Sequence, residues 1–238
     1  MYKRQVIAIA RRELGTYFTS PIAYVVTAAL LAIAGFMFER ILFFSREATL
    51  RYLFTNLATI LLFVAPALTM RLLAEERRSG TIELLLTAPV RDWEVIWGKW
   101  LASFILFLAM LSLTLVYPLV LERFGDPDWG PIGSGYLGLI LLGGALLALG
   151  TLTSTLTRNQ IIAAVLGVAL CVGLWLIAAL AESNEGALNS GRRYLALGEH
   201  FFDFLKGVVD TRDVIYYLSV IAGALFLATR VLETRRWR

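Results

Sequence analysis

One cysteine and one histidine are all that this 238-residue sequence offers to chemistry needing a thiol or an imidazole. Cys171 stands alone in an apolar run, which excludes a disulfide framework or a cysteine-built zinc site within the chain. His200 lies in a polar interval, where an interfacial hydrogen bond is its ordinary use. No Gly-x-x-x-x-Gly-Lys-Ser/Thr stretch occurs, so no phosphate-binding loop is predicted. Charge is scarce as well: Asp, Glu, Lys and Arg make up 17% of the chain, against 58% hydrophobic residues and a mean hydropathy of +0.72. A soluble domain of this length carries more charge and shorter apolar runs. The composition indicates an integral membrane protein.

Six apolar runs are long enough to cross a bilayer or nearly so: 22–38, 52–70, 100–121, 136–156, 161–181 and 214–228. None of them holds Asp, Glu, Lys, Arg or His. An ion-coupled carrier normally needs an ionisable group at membrane depth, and an intramembrane protease needs paired aspartates, a Ser-His pair or a metal cluster. Both classes are disfavoured. The hydroxyls of Thr151, Thr153 and Ser154 leave sodium coupling as the weaker alternative.

Residues 1–20 read as an amphipathic helix. Tyr2, Val6, Ile9, Ala10, Leu14 and Tyr17 fall on one side, and Arg4, Gln5, Arg11 and Arg12 on the other. Such a helix lies in the headgroup plane beside anionic lipid. Glu13 sits within the apolar arc, either snorkelling to lipid headgroups or pairing with an arginine of the 71–99 segment. Ser20 is expected to cap the first span and Pro21 to open it. Ala32-Ile33-Ala34 mimics a signal-peptidase site, but the region before it is long and patterned, so retention is expected. Residues 39–51 read as a polar connection, and Gly125-Asp126-Pro127-Asp128 and Gly130-Pro131 as turns. The small residues Gly138, Gly143, Gly144, Ala148 and Gly150 predict close helix packing along the fourth span. Thr157 to Gln160 is short enough to force an antiparallel hairpin. With the N-terminus inside, the cytoplasmic segments hold 14 Lys and Arg and the outer ones 8, so both termini are predicted to be cytoplasmic.

The segment 71–99 is the most densely patterned. Arg71, Glu75, Glu76, Arg77 and Arg78 prolong the second span as a charged helical end, which Ser79-Gly80 breaks. Thr81 can cap a short helix with Glu83 in its first turn. Ile82, Leu85 and Leu86 share a face of that helix, and Pro89 ends it. Asp92 is expected to cap the next helix, with Trp93, Trp97 and Trp100 as interfacial anchors. The pattern fits a short helix held crosswise for a soluble partner, and equally an ordinary interfacial loop helix.

The run Glu75-Glu76-Arg77-Arg78-Ser79-Gly80-Thr81-Ile82-Glu83-Leu84-Leu85-Leu86-Thr87-Ala88-Pro89-Val90, followed by Gly98-Lys99, closely resembles the cytoplasmic signature of type-2 ABC transporter permeases. Ser20-Pro21-Ile22-Ala23-Tyr24, His200-Phe201-Phe202-Asp203-Phe204 and Lys206-Gly207-Val208-Val209-Asp210 are similar to the gliding-motility-type branch. The resemblance implies an all-α permease of six transmembrane helices, with an N-terminal interfacial helix and a coupling helix between spans 2 and 3. It implies that Glu75, Glu76, Arg77, Arg78, Gly80, Thr81, Ile82, Glu83, Leu85, Leu86 and Pro89 shape or contact the ATPase interface. The implied partners are two copies of an ABC ATPase subunit that binds ATP and Mg, and a second permease copy or a homologous permease. Membrane lipids and an accessory membrane or periplasmic subunit complete the list. No cofactor, metal or nucleic acid is expected on this chain, which is a single permease domain over 1–238 in a bacterial inner membrane. By the same resemblance, short outer helices in 182–213 cap the exit path, with Phe201, Phe202 and Leu205 as gate candidates; a surface hairpin packed on the bundle is the equal alternative. The leading reading is the membrane subunit of an ATP-driven exporter. The alternatives are a permease-like scaffold doing mechanical work on an envelope or motility complex, and then an ion-coupled carrier or intramembrane enzyme.

Overall fold

The apolar runs fold as helices because a backbone in hydrocarbon must satisfy its own hydrogen bonds. The computed structural model describes residues 2–45, 49–80, 90–177 and 194–236, and no strand occurs among them. In chain order the helices are α1 (Tyr2–Thr19), α2 (Pro21–Ser45), α3 (Arg51–Thr69), α4 (Arg71–Ser79) and α5 (Asp92–Leu113). They continue with α6 (Val116–Phe124), α7 (Trp129–Leu156), α8 (Gln160–Leu176), α9 (Leu197–Leu205) and α10 (Thr211–Arg236). Among the described residues, five stretches are long and apolar enough to cross a membrane: Ala23–Phe44, Arg51–Ser79, Asp92–Arg123, Trp129–Leu156 and Thr211–Thr234. Gln160–Leu176 is apolar but shorter. The expected fifth span, 161–181, runs past residue 177 and so lies partly outside the described residues.

Several boundaries differ from the sequence reading. Helix α2 continues through Glu39 and Arg40, whose guanidinium lies 4.8 Å from the Phe44 ring centre. Gly130-Pro131 lies inside α7 and not in a turn. Asp128 caps that helix by accepting from the Gly130 amide at 3.1 Å, and a proline in the first helical turn forfeits no bond. Asp92 is the first residue of α5, and the Glu94 carboxylate caps it by accepting from the Arg91 amide at 2.8 Å.

Helix α7 is the central post. Four of its glycines receive a side chain from a neighbouring helix: Phe54 of α3 against Gly135, Phe204 of α9 against Gly138, Phe107 of α5 against Gly143 and Ile221 of α10 against Gly144. Gly150 takes Thr69 and Pro66 of α3, and Gly167 of α8 meets the other side of Pro66. Small residues on one helix thus admit large ones from four others.

The two prolines within the apolar helices are accommodated differently. Pro66 sits in the continuous α3 with Gly150 and Gly167 closed around it. Pro118 lacks the amide that would reach the Thr114 carbonyl, and Tyr136 Oη supplies a donor there at 2.9 Å. The chain breaks beside this point, between α5 and α6, through i→i−3 bonds from Thr114 and Leu115.

Candidate functional site

Helices α1, α4 and the start of α5 gather at one end of the bundle. Gly98 of α5 lets α1 approach: a Cβ there would lie 2.8 Å from Ile9 Cγ2 and 3.1 Å from the Val6 carbonyl. That approach puts the next residue, Lys99, between α1 and α4. Its Nζ donates to Glu13 Oε1 at 2.7 Å and to Glu76 Oε1 at 2.8 Å. The lysine side chain is 1% exposed, while the carboxylates keep 18% and 23%. A buried ammonium persists only when paired and hydrogen-bonded, so the three charges hold the three helices at one point. Glu13 is therefore a salt-bridged residue of the 71–99 contact, and its partner is Lys99, not an arginine.

Around this node lie further links. Arg71 pairs with Glu75 at 2.7 Å and donates to Ser20 Oγ at 3.2 Å. Glu94 is buried on the α1 side, and the Gln5 amide nitrogen, turned toward it, donates to its carboxylate at 2.9 Å. Tyr17 Oη donates to the Leu68 carbonyl at 2.7 Å. Burial, reinforced by the nearby Glu13 carboxylate, pushes the Tyr17 phenol up, so it stays a donor. A cavity of about 600 Å³ opens beside the node, bounded by Arg12, Glu13, Tyr17, Arg71, Glu75 and Glu76.

The second clamp on α4 comes from α7. Arg77 donates to the backbone carbonyls of Thr155 and Thr157 at the α7 terminus, a cation on an orphaned helix end. Ser154 Oγ accepts from the Leu73 and Ala74 amides and donates to the Met70 carbonyl. Arg78 is exposed, and Gly80 ends the helix at φ 75°, the left-handed region that glycine enters freely. Thr81, Ile82, Glu83, Leu85, Leu86 and Pro89 lie outside the described residues. Trp93 and Trp97 are exposed. Trp100 is 8% exposed, donates from Nε1 to the Gly144 carbonyl at 3.1 Å and stacks on Phe104, so its ring belongs to the bundle.

At the opposite end, α9 lies across the bundle. Phe201 and Leu205 are buried, Phe201 against Gly138, and only Phe202 is exposed among the three gate candidates, at 44%. His200 bridges α9 to α10: its Nδ1 lies 2.6 Å from Asp213 Oδ1 and its Nε2 3.1 Å from the Tyr194 carbonyl. Gly207 turns the chain at φ 86°, and Ser134 Oγ donates to the Phe204 carbonyl at 2.6 Å. No group of three or more His, Cys, Asp or Glu placed to hold a metal occurs among the described residues.

Sequence reading had not assigned Lys99, Ser154 or Asp213 to these contacts. Lys99 carried the one available signal, a cation at the edge of an apolar run facing an acidic residue stranded on an apolar arc. The hydroxyl of Ser154 and the carboxylate of Asp213 carry none without helix register.

The sequence profile of the family described as ABC-2 family transporter protein matches residues 30–195. The chain is also similar to the probable multidrug ABC transporter permease YbhR of Escherichia coli strain K12, at 29% identity over 87 residues, and equally to that of strain O157:H7. That stretch is 37% of this chain and 23% of each relative, so the match spans about a quarter of the relatives' length. With the profile covering most of a chain whose described residues are helical, several of the helices being long and apolar enough to cross a membrane, this protein belongs to the ABC-2 transporter family, as a multi-pass membrane protein.

Proposed function

We propose that this chain is the membrane half of an ATP-driven exporter, working with a separate ATPase subunit that binds ATP and Mg. The observation that carries the reading is the double clamp on α4. The helix leading into the 81–89 segment is fixed to α1 and α5 through Lys99 and to α7 through Ser154 and Arg77. A displacement delivered at that segment would reach the bundle without loss in a loose tether. On this reading 81–89 docks on the ATPase, and both termini face the cytoplasm of a bacterial inner membrane. On the same reading Gln160–Leu176 belongs to the fifth of six spans, and two such halves, identical or homologous, form the pathway.

The chain itself hydrolyses nothing. The relatives' description as multidrug permeases supports an apolar or amphipathic cargo. The gliding-motility-type branch rests on the motifs at 20–24 and 200–210.

Affinity purification of the tagged chain from its native host should bring down an ABC ATPase. Reconstituted vesicles should then accumulate an amphipathic fluorescent dye on ATP addition, and Thr81→Ala and Glu83→Ala should reduce that uptake. A complex without an ATPase, with both variants fully functional, overturns the proposal. An ATPase complex that moves no solute selects the mechanical scaffold instead.

A further inference from the structure

The α3–α4 junction contains a helix opened from outside. In an uninterrupted helix the Ala74 amide would bond to the Met70 carbonyl, four residues back. Here the Ser154 hydroxyl of α7 stands between them, accepting from Ala74 N at 3.2 Å and donating to Met70 O at 3.1 Å. It also takes the Leu73 amide at 3.1 Å, whose helical partner would be the Thr69 carbonyl. One step earlier, Tyr17 Oη occupies the Leu68 carbonyl. A side chain inserted into the i→i−4 ladder is an established cause of a helix bend. Residues 69–74 are Thr, Met, Arg, Leu, Leu and Ala, so neither proline nor glycine is there to set the angle of the junction, and the inserted hydroxyl is the device at hand.

We infer that Ser154 is a positioning residue that holds α4 bent away from the axis of α3 and so sets the angle of the ATPase-facing arm. This rests on the proposed function for its consequence, though not for its geometry. Two arrangements of the junction satisfy the Leu73 and Ala74 amides and the Met70 carbonyl. With Ser154 inserted, the hydroxyl closes the ladder and α4 is bent. With Ser154 withdrawn, Ala74 bonds directly to Met70 and α4 runs on from α3. A joint with two satisfied states can be switched by a small force, whereas one that strands an amide cannot. Ser154 lies one residue before Thr155, whose carbonyl receives Arg77, so withdrawal of the hydroxyl would move the arginine clamp as well. The arm and the terminus of α7 are thereby geared together.

The test places spin labels at the exposed Ser79→Cys and Arg158→Cys positions in a Cys171→Ala background, with the chain in lipid nanodiscs. The distance from the tip of α4 to the end of α7 is then read by pulsed electron resonance. Ser154→Ala is expected to shift the distance beyond the width of the unsubstituted distribution, and Ser154→Thr, which keeps the hydroxyl, to restore it. With the ATPase bound, ATP plus vanadate should move the distance in the parent chain and in Ser154→Thr, with at least a fivefold smaller change in Ser154→Ala. If the alanine variant does not assemble, Ser154→Val, which has the shape of the threonine variant without its hydroxyl, replaces it and should give the same shift. An unmoved distance in the alanine or valine variant, or an intact ATP response, overturns the inference. Absence of any ATPase overturns the proposed function alone, because the ATP-free distances still decide the joint.

Discussion

Replacing Lys99 with methionine keeps most of the side-chain volume and removes the cation on which α1, α4 and α5 converge. The Glu13 and Glu76 carboxylates then face each other unscreened. Each lies within 2.8 Å of the same nitrogen. Two unit charges at most about 5.5 Å apart repel by about 3 kcal/mol at an effective dielectric near 20. Both side chains retain some exposure, so rotation toward water relieves part of this. Stripping one partner from a buried pair costs about 3–5 kcal/mol when no such escape exists. A net loss of about 2–3 kcal/mol is therefore expected, roughly a 30- to 150-fold shift in the unfolding equilibrium. The assay is SDS-induced unfolding of the purified chain in bicelles, followed by tryptophan emission. Adding Glu13→Gln and Glu76→Gln to Lys99→Met removes the repulsion and should bring stability back to within about 1 kcal/mol of the parent. Unchanged stability in Lys99→Met, or a triple variant no more stable than the single one, refutes the reasoning.

Gly98→Ala should push α1 off α5 at a cost of about 1–3 kcal/mol, with Ile9→Ala recovering part of it; limited proteolysis within α1 reads the outcome. Tyr136→Phe should cost about 0.5–1 kcal/mol by removing one of the two donors to the Thr114 carbonyl, which keeps the Tyr117 amide. The same change should cost less in a Pro118→Ala background, where the helix regains its own amide; a double-mutant cycle on unfolding measures the difference. His200→Leu should destabilise the α9–α10 contact by about 1–3 kcal/mol, because it leaves the buried Asp213 carboxylate without its ring partner; hydrogen exchange across 197–213 would show it.

Local chemistry was legible in the sequence and lateral registration was not. Gly80 was readable as a helix stop because a left-handed terminus selects glycine, and the structure shows it at φ 75°. The glycines of 136–156 were readable as a close-packing surface, and each receives a neighbour's side chain. Glu13 was readable as a residue needing a partner, since a carboxylate on an apolar arc is costly alone. Which cation answers it depends on how far α1 slides along α5, and Gly98 fixes that through a contact 89 positions away in the chain from Ile9. Trp100 was read by spacing as continuing a stripe with Trp93 and Trp97, yet its ring turns inward because the Gly144 carbonyl lies within reach of the indole. Gly130-Pro131 looked like a turn because both residues favour one, but a capping aspartate two positions before the glycine makes the same pair a helix start. The Ser154 bridge was invisible, since a serine near a helix end has many uses and only the register between α4 and α7 selects this one.

The crossing of Thr69, Pro66, Gly150 and Gly167 has a genetic consequence. The space there is shared among three helices, so a methyl gained by one must be surrendered by another. A Gly150→Ala lesion should be suppressed from a distance by Thr69→Ala, which removes the hydroxyl its new carbon would strike. Gly167→Ala meets proline carbon 2.9 Å away and should find its suppressor at residue 66 instead. Lineages that change one member of this quartet would be expected to drift in pairs.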